Sequence, residues 1–252
     1  MKTPLKSLLV LGLFATYSHA IFGIGGHFGL VPGLEVKASK GVIAQGVTHT
    51  LSLDERGLSG IQGFGAKFWI DFLPLVDIEA AGNLQFGYYD VSLSSTNPTL
   101  EKPVSFDLGV PGVEGKPFFA RALGDVAVLY PFFKFPPLIK LIKVYAGGGL
   151  SYGVAAPILS PAFAKKALDS DPSYDPNTDN DNSKAAKIIV DAIKAADFEK
   201  GIGFFLQLGA HAKLPIIPIA AYADLKYRVP GIDPALVDGS GWNMELGGAL
   251  AF

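Results

Sequence analysis

Residues 76–89 read VDIEAAGNLQFGYY, and their chemistry changes with almost every step along the chain. Val76, Ile78, Ala80, Leu84, Phe86 and Tyr88 share one parity, while Asp77, Glu79, Ala81, Asn83, Gln85 and Tyr89 share the other. Side chains of a strand point alternately to its two faces, so a period of two predicts a strand lying between two different solvents. The preceding segment has Phe64, Ala66, Phe68, Ile70 and Phe72 opposite Gly63, Gly65, Lys67, Trp69 and Asp71, and Leu73-Pro74-Leu75 joins the two as a tight turn. The same unit of strand, short proline turn and strand recurs in residues 118–153 around Pro136-Pro137 and in residues 202–229 around Pro215 to Pro218. A strand over residues 22–30 and another over 242–252 bring the count to eight.

The remaining connections are long: roughly residues 31–60, 90–117, 154–200 and 230–241. Within the first, residues 41–53 (GVIAQGVTHTLSL) could hold a further strand pair or a loop hairpin, which leaves a ten-stranded count open. Within the third, a Pro/Asp/Asn stretch over 169–182 precedes residues 183–198, where Ala185, Ile189, Ala192, Ile193 and Ala196 form the stripe of a helix placed at the barrel mouth.

The whole chain has 252 residues, is 49% hydrophobic and only 17% charged, and carries a formal charge of −2, which argues against a nucleic-acid partner. Thirty Gly and eighteen Pro interrupt an apolar chain of mean hydropathy +0.34, a composition unlike that of a disordered chain or a helical bundle. No apolar run beyond the first twenty residues is long enough for a membrane helix. Cysteine is absent, which excludes disulfides, thiolate metal sites and a cysteine nucleophile. Residues 1–20 have Lys2 and Lys6, an apolar stretch from Leu8 to Ala15 and the small-residue ending Ser18-His19-Ala20, the layout of a cleaved secretory signal. The expected mature domain is residues 21–252.

A bilayer offers nothing to bond an open strand edge, so a strand protein that crosses it must close on itself. With the apolar parity assigned to lipid, the strand charges fall on the other one: Lys67, Asp71, Asp77, Glu79, Arg121, Asp125, Lys143, Lys213, Asp224, Lys226, Arg228 and Glu245, six basic and six acidic. A soluble sandwich would also segregate its charges. Membrane placement is favoured by the aromatics near the ends of the apolar faces (Phe72, Tyr88, Phe118, Tyr130, Tyr152, Tyr227, Trp242) and by the glycines of the opposite parity (Gly23, Gly25, Gly29, Gly147, Gly149, Gly153). An eight-stranded barrel is narrow enough for its interior to be filled, so the twelve charges are expected to form an ion-paired network.

This arrangement of leader, eight alternating strands, short turns on one rim, long loops on the other and a last strand ending Leu250-Ala251-Phe252 resembles the small outer-membrane barrels of the OmpA, OmpX and OmpW type. The resemblance implies an all-β, up-and-down transmembrane barrel in the outer membrane of a diderm bacterium. It implies outer-membrane lipid and the barrel-assembly machinery as partners, with Phe252 matching the terminal aromatic that the machinery reads. OmpA's periplasmic cell-wall domain has no counterpart in the chain. The function expected is non-catalytic, a structural or surface-interaction role carried by the long loops, with residues 169–198 dispensable for insertion. An OmpW-like narrow channel, with Ile188, Ile189 and Ile193 at its mouth, is the alternative.

Chemistry of other kinds finds little support. His27 and His211 share the interior parity and His49 lies in the first loop, a spacing that forms no metal motif and puts no base on the lipid face for a membrane enzyme. Asp175, Asn177, Asp179 and Asp181 alternate like the first ligands of a calcium loop, but the turn glycine is missing and the twelfth position is Ala186. No cofactor is expected.

Overall fold

The computed structural model of the chain describes residues 22–32, 39–47, 49–58, 60–71, 75–96, 117–136, 141–179, 182–214, 217–229 and 241–252. The leader over 1–20, Phe72 and Asp181 lie outside the described residues. The strands are β1 (Phe22–Val31), β2 (Ser39–Gln45), β3 (Thr50–Leu58), β4 (Ile61–Ile70), β5 (Asp77–Ser95), β6 (Phe118–Phe135) and β7 (Ile142–Ala155). Two helices follow, α1 (Pro161–Ser170) and α2 (Asn182–Ala195), then β8 (Glu199–Lys213), β9 (Ile219–Val229) and β10 (Gly241–Ala251). No described helix is long and apolar enough to cross a membrane.

Eight strands close into an antiparallel barrel in the order β1, β4, β5, β6, β7, β8, β9, β10, and β10 returns to β1. A row of cross-strand partners starting at Ala212 runs through Ala221, Gly248, Gly26, Ala66, Gly82, Gly124 and Tyr152 and comes back to β8 at Ile202, ten residues from its start. Eight strands with a stagger of ten have a tilt of about 40° and a backbone radius of about 8 Å, given ordinary strand spacing. Such a bore has room for side chains and little else. The seam is sealed at the last residue: the Phe252 amide donates to the Phe22 carbonyl at 2.9 Å and the Phe22 amide to the Phe252 carbonyl at 3.2 Å.

The outward parity is apolar all round, with Phe28, Phe64, Leu84, Val126, Leu150, Leu206 and Leu246 among its exposed residues. A soluble protein does not leave such a belt facing water, whereas hydrocarbon requires it. Tyr88 stacks near Phe118 and Tyr227 near Trp242, with ring centroids 5.3 and 4.9 Å apart, at the long-loop ends of this face. The two rims differ as the sequence leads one to expect: β4 is joined to β5, β6 to β7 and β8 to β9 by short spans at one rim, and the long connections fall at the other.

The additional strand pair in the first connection is present but stands outside the ring. β2 and β3 form a hairpin, and β3 pairs with the upper part of β5 as a continuation of β4, with Leu58 opposite Tyr89 and Gln62 opposite Phe86. The register slips by one residue between them, where Gly60 sits at φ +70°, a left-handed conformation that only glycine adopts without strain. β5 runs on to Ser95, six residues past the expected strand, because β3 supplies it with a partner.

The third connection holds two helices where the periodicity suggests one. Ser160 caps α1, its hydroxyl accepting from the Phe163 amide at 3.2 Å, and Pro161 opens the first turn; this Ser-Pro start is legible in the sequence. Ala164 and Leu168 of α1, Ala185, Ala186 and Ile189 of α2, and Tyr174 between them bury their side chains against Ile43, Leu51 and Leu53 of the hairpin. Val31, Ile61, Tyr89, Phe119 and Ala155, inward-facing residues at the strand ends, complete this core. The long-loop rim therefore carries a folded apolar cap on the barrel mouth. Asn177 fastens it to the hairpin turn, its Oδ1 accepting from the Val47 amide at 3.1 Å.

One carboxylate lies within the cap. Glu55 is 1% exposed, receives a hydrogen bond from the Ser39 hydroxyl at 2.8 Å on Oε2, and has no partner for Oε1 among the described residues. Burial pushes its pKa above the ordinary glutamate value of 4.5, and the Ser39 bond offsets only part of that. Cap stability is then fully present in acid and falls as pH rises from the ordinary value through the raised one. Glu55→Gln should make the cap more resistant to limited proteolysis at neutral pH and leave it unchanged in acid, a crossover read from cleavage rates across pH.

Candidate functional site

The inward parity of the eight strands converges on a single polar assembly. Near the short-turn rim, Lys143 Nζ lies 2.7 Å from Asp77 and 3.5 Å from Asp71, and Lys213 lies 3.7 Å from the same Asp71 carboxylate. These two bases and two acids balance one another where the ends of β4 and β8 and the starts of β5 and β7 meet. Asp71 and Lys213 are partly open to solvent there.

Deeper in, Lys67 contacts Asp224 and, at 3.1 Å, Glu79, while its ammonium sits 3.8 Å from the Tyr222 ring centroid. The Tyr145 hydroxyl donates to Asp224, and the Gln207 amide donates to both Glu79 and Asp224 at 3.1 Å. One level further toward the loops, Arg228 grips Asp125 with two parallel bonds of 2.8 and 2.6 Å, the bidentate geometry in which guanidinium and carboxylate match best. Ser151 and Asn83 add bonds of 2.7 and 3.2 Å to the same carboxylate. Lys226 stands 3.2 Å from Asp125 and 3.0 Å from Glu245, and both Lys226 and Glu245 are 0% exposed. Arg121 lies toward the mouth, where its Nε donates to Gln85 at 2.7 Å.

Eleven of the twelve charged side chains thus lie within 4 Å of an opposite charge, and Arg121 pairs with a neutral amide. Charge alone does not complete the set. Asn83, Gln85, Tyr145, Ser151, Gln207, Tyr222 and Asn243 supply further bonds that a search for charges passes over; their signal is the shared inward parity. His27 joins two of them, with Nδ1 3.2 Å from the Tyr222 hydroxyl and Nε2 2.6 Å from Asn83. His211 is enclosed by the rings of Trp69, Tyr145 and Tyr222, with centroids 4.7, 4.8 and 5.7 Å away, and neither ring nitrogen has a partner among the described residues. Gly23 makes room for the Trp69 ring, which occupies the place a Cβ would take.

Buried ion pairs lose hydration that only good geometry and extra bonds restore. The assembly meets that condition at Asp125 with five donor atoms from three other strands, β5, β7 and β9, so the closing of the ring and the satisfaction of its interior are one event.

Above this level the lumen meets the apolar cap. Ile189 is fully buried there, and Ile188 and Ile193 pack partly against the same core. His49 is buried at the hairpin between β2 and β3. The Asp/Asn stretch of the third connection forms an Asx turn, with Asp175 Oδ1 accepting from the Asn177 amide at 2.9 Å. The Lys184 ammonium takes the place a cation would hold, 2.9 and 2.8 Å from the two oxygens of Asp179 and bonded to the Ser173 carbonyl. Lys184 and the Asp175 amide hold the Asp179 carboxyl below its ordinary pKa. No cluster of metal-binding side chains occurs among the described residues. On the outer side of the cap, α1 and α2 border a groove of about 520 Å³ lined by Phe163, Lys166, Asp171, Ile188 and Asp191 among others.

No family model matches the chain, and no curated protein sequence does. Among solved structures, OprG of Pseudomonas aeruginosa, an outer membrane protein, superposes with a TM-score of 0.49 and 14% identity over 92% of this chain and 95% of that one. The attachment invasion locus protein Ail of Yersinia pestis gives 0.43 and 9% over 92% and 97%, and Neisserial surface protein A gives 0.42 and 12% over 92% and 97%. These likenesses are remote, and the barrel assignment stands on this chain's own closed register and apolar belt: the protein is an eight-stranded transmembrane β-barrel with a folded cap.

Proposed function

We propose that the protein is a non-catalytic barrel of a diderm outer membrane, exported by its leader, in which the strands are a closed scaffold and the cap is the surface that meets partners outside the cell. The observation that carries this reading is the filled lumen: Lys226 and Glu245 are inaccessible at mid-barrel, and an apolar core covers the mouth above them. A porin keeps its charged side chains in water; these spend theirs on one another. The cap is folded rather than loose, and its groove between α1 and α2 combines apolar walls with both signs of charge, features that suit recognition.

A second reading, a narrow channel, draws support from the polar atoms without partners among the described residues in the lower lumen. Both nitrogens of His211, Trp69 Nε1, Gln207 Oε1 and Asp71 Oδ1 would be served by water. Conductance across a planar bilayer separates the two. Folded protein shown to have inserted should give no discrete current steps; steps seen with the folded and not with the boiled sample would overturn the closed-scaffold reading.

The network makes its own demand. Asp125→Ala leaves Arg228 and Lys226 facing each other without their shared acid, a loss of about 3 to 5 kcal/mol for a broken buried pair. The variant should convert from its compact to its unfolded gel mobility at a distinctly lower temperature than the wild type. Phe252 is proposed to be read by the assembly machinery. Phe252→Ala retains the backbone bonds of the seam, so it should lower the amount assembled in cells while refolding in detergent proceeds normally; equal loss in both would reduce the ring to packing against Phe22, 5.5 Å away.

A further inference from the structure

On β1 and β10 the outward apolar run spans nine and eleven residues, Phe22 to Leu30 and Trp242 to Phe252, or about 20 to 25 Å along the membrane normal at the tilt derived above. That matches the apolar band of about 25 Å usual for such barrels. β6 does not stop there. Its outward face runs from Phe118 through Val126, Val128 and Tyr130 and, after a bulge between Tyr130 and Phe133, through Phe133 and Phe135, a run of about 40 Å. β5 leaves off at Asp77 opposite Leu129, so residues 130–135 of β6 run on past it as a tongue bonded along one edge only, to Ile142–Ala146 of β7, which β8 holds in the ring.

The outward face of β6 thus passes the β1 run at both ends, and at the short-turn end the neighbouring rim shares its apolar character. Phe132, Phe133 and Phe135 on the tongue, Leu75 on one neighbouring turn, and Leu214 and Ile217 on the other are all about half exposed or more. Across residues 72–76, 131–142 and 214–219 the sequence contains two charged residues, Lys134 and Lys140, both basic. Turns bathed in periplasmic water are ordinarily polar. An apolar surface of this kind, continuous with the lipid-facing belt, fits a phospholipid leaflet, with Lys134 of the tongue available to a lipid phosphate.

We propose that the short-turn rim is a phospholipid-binding surface: the β6 tongue with Leu75, Leu214 and Ile217 beside it lies within the leaflet and fixes the depth at which the barrel sits. The proposal rests on the membrane-spanning reading and adds to it that this rim, unlike the capped one, does not emerge into water.

Tryptophan placed at single positions reads it directly. In a Trp242→Phe background, Phe133→Trp, Ile217→Trp and Val47→Trp are each refolded into vesicles of phosphatidylethanolamine and phosphatidylglycerol, with and without brominated acyl chains. Val47, 88% exposed at the hairpin turn of the cap, is the water-facing control. The unsubstituted chain reports the belt through Trp242, and gel mobility before and after heating confirms folding. The probes at 133 and 217 should be quenched by brominated lipid as strongly as Trp242 and be shielded from aqueous iodide. Quenching by iodide at both positions, at the level of the probe at 47, would overturn the proposal and direct attention to a periplasmic protein as occupant. Loss of lipid quenching at Trp242 as well would instead sink the membrane-spanning reading itself.

Discussion

Hydrogen-bond closure governs this molecule. In hydrocarbon an unpaired strand edge has no substitute partner, and each orphaned backbone group costs several kcal/mol, so β1 and β10 must meet. They meet through the last residue of the chain, whose amide and carbonyl both bond to Phe22. Closure with eight strands and a stagger of ten then sets the bore, and the bore sets what the interior can be: a space for side chains, with no room for bulk water along its axis.

The interior answers this restriction with ion pairs in place of an apolar core. An apolar core would erase the difference between the two faces of each strand, and with it the signal that decides which face meets lipid. A one-residue slip in this chain would turn Lys67, Asp125 or Lys226 outward at a cost of about 2 to 4 kcal/mol for each basic residue near the midplane. The network therefore fixes register as well as filling space. Neutral side chains complete it, because Asp125 or Asp224 has more acceptor sites than nearby cations can serve.

The two ends of the barrel are finished differently. At the long-loop end the hairpin β2–β3 and helices α1 and α2 build an apolar core of their own, seated on the inward-facing Val31, Ile61, Tyr89, Phe119 and Ala155. Polar packing inside the membrane and apolar packing outside it reverse the usual order, since each region buries what its surroundings would not accept. At the other end Leu75, Phe133, Phe135, Leu214 and Ile217 are exposed and continue the apolar surface of the belt.

Much of this was legible in the order of residues. The strand period, the side of each strand that carries charge, the eight barrel strands and the helix over α2 follow from local alternation and spacing, because the pleat and the 3.6-residue turn are properties of the backbone itself. The Ser160-Pro161 start of α1 was equally local and readable. What the chain could not disclose one segment at a time is which charge faces which. Asp125 and Arg228 are 103 positions apart and Lys67 and Asp224 are 157, and only the stagger of the closed ring brings them into contact. The cap is a tertiary outcome for the same reason: Ile43, Leu51, Leu168 and Ile189 come from two connections that carry no mutual signal, and they cohere because the barrel holds the ends of both at one rim.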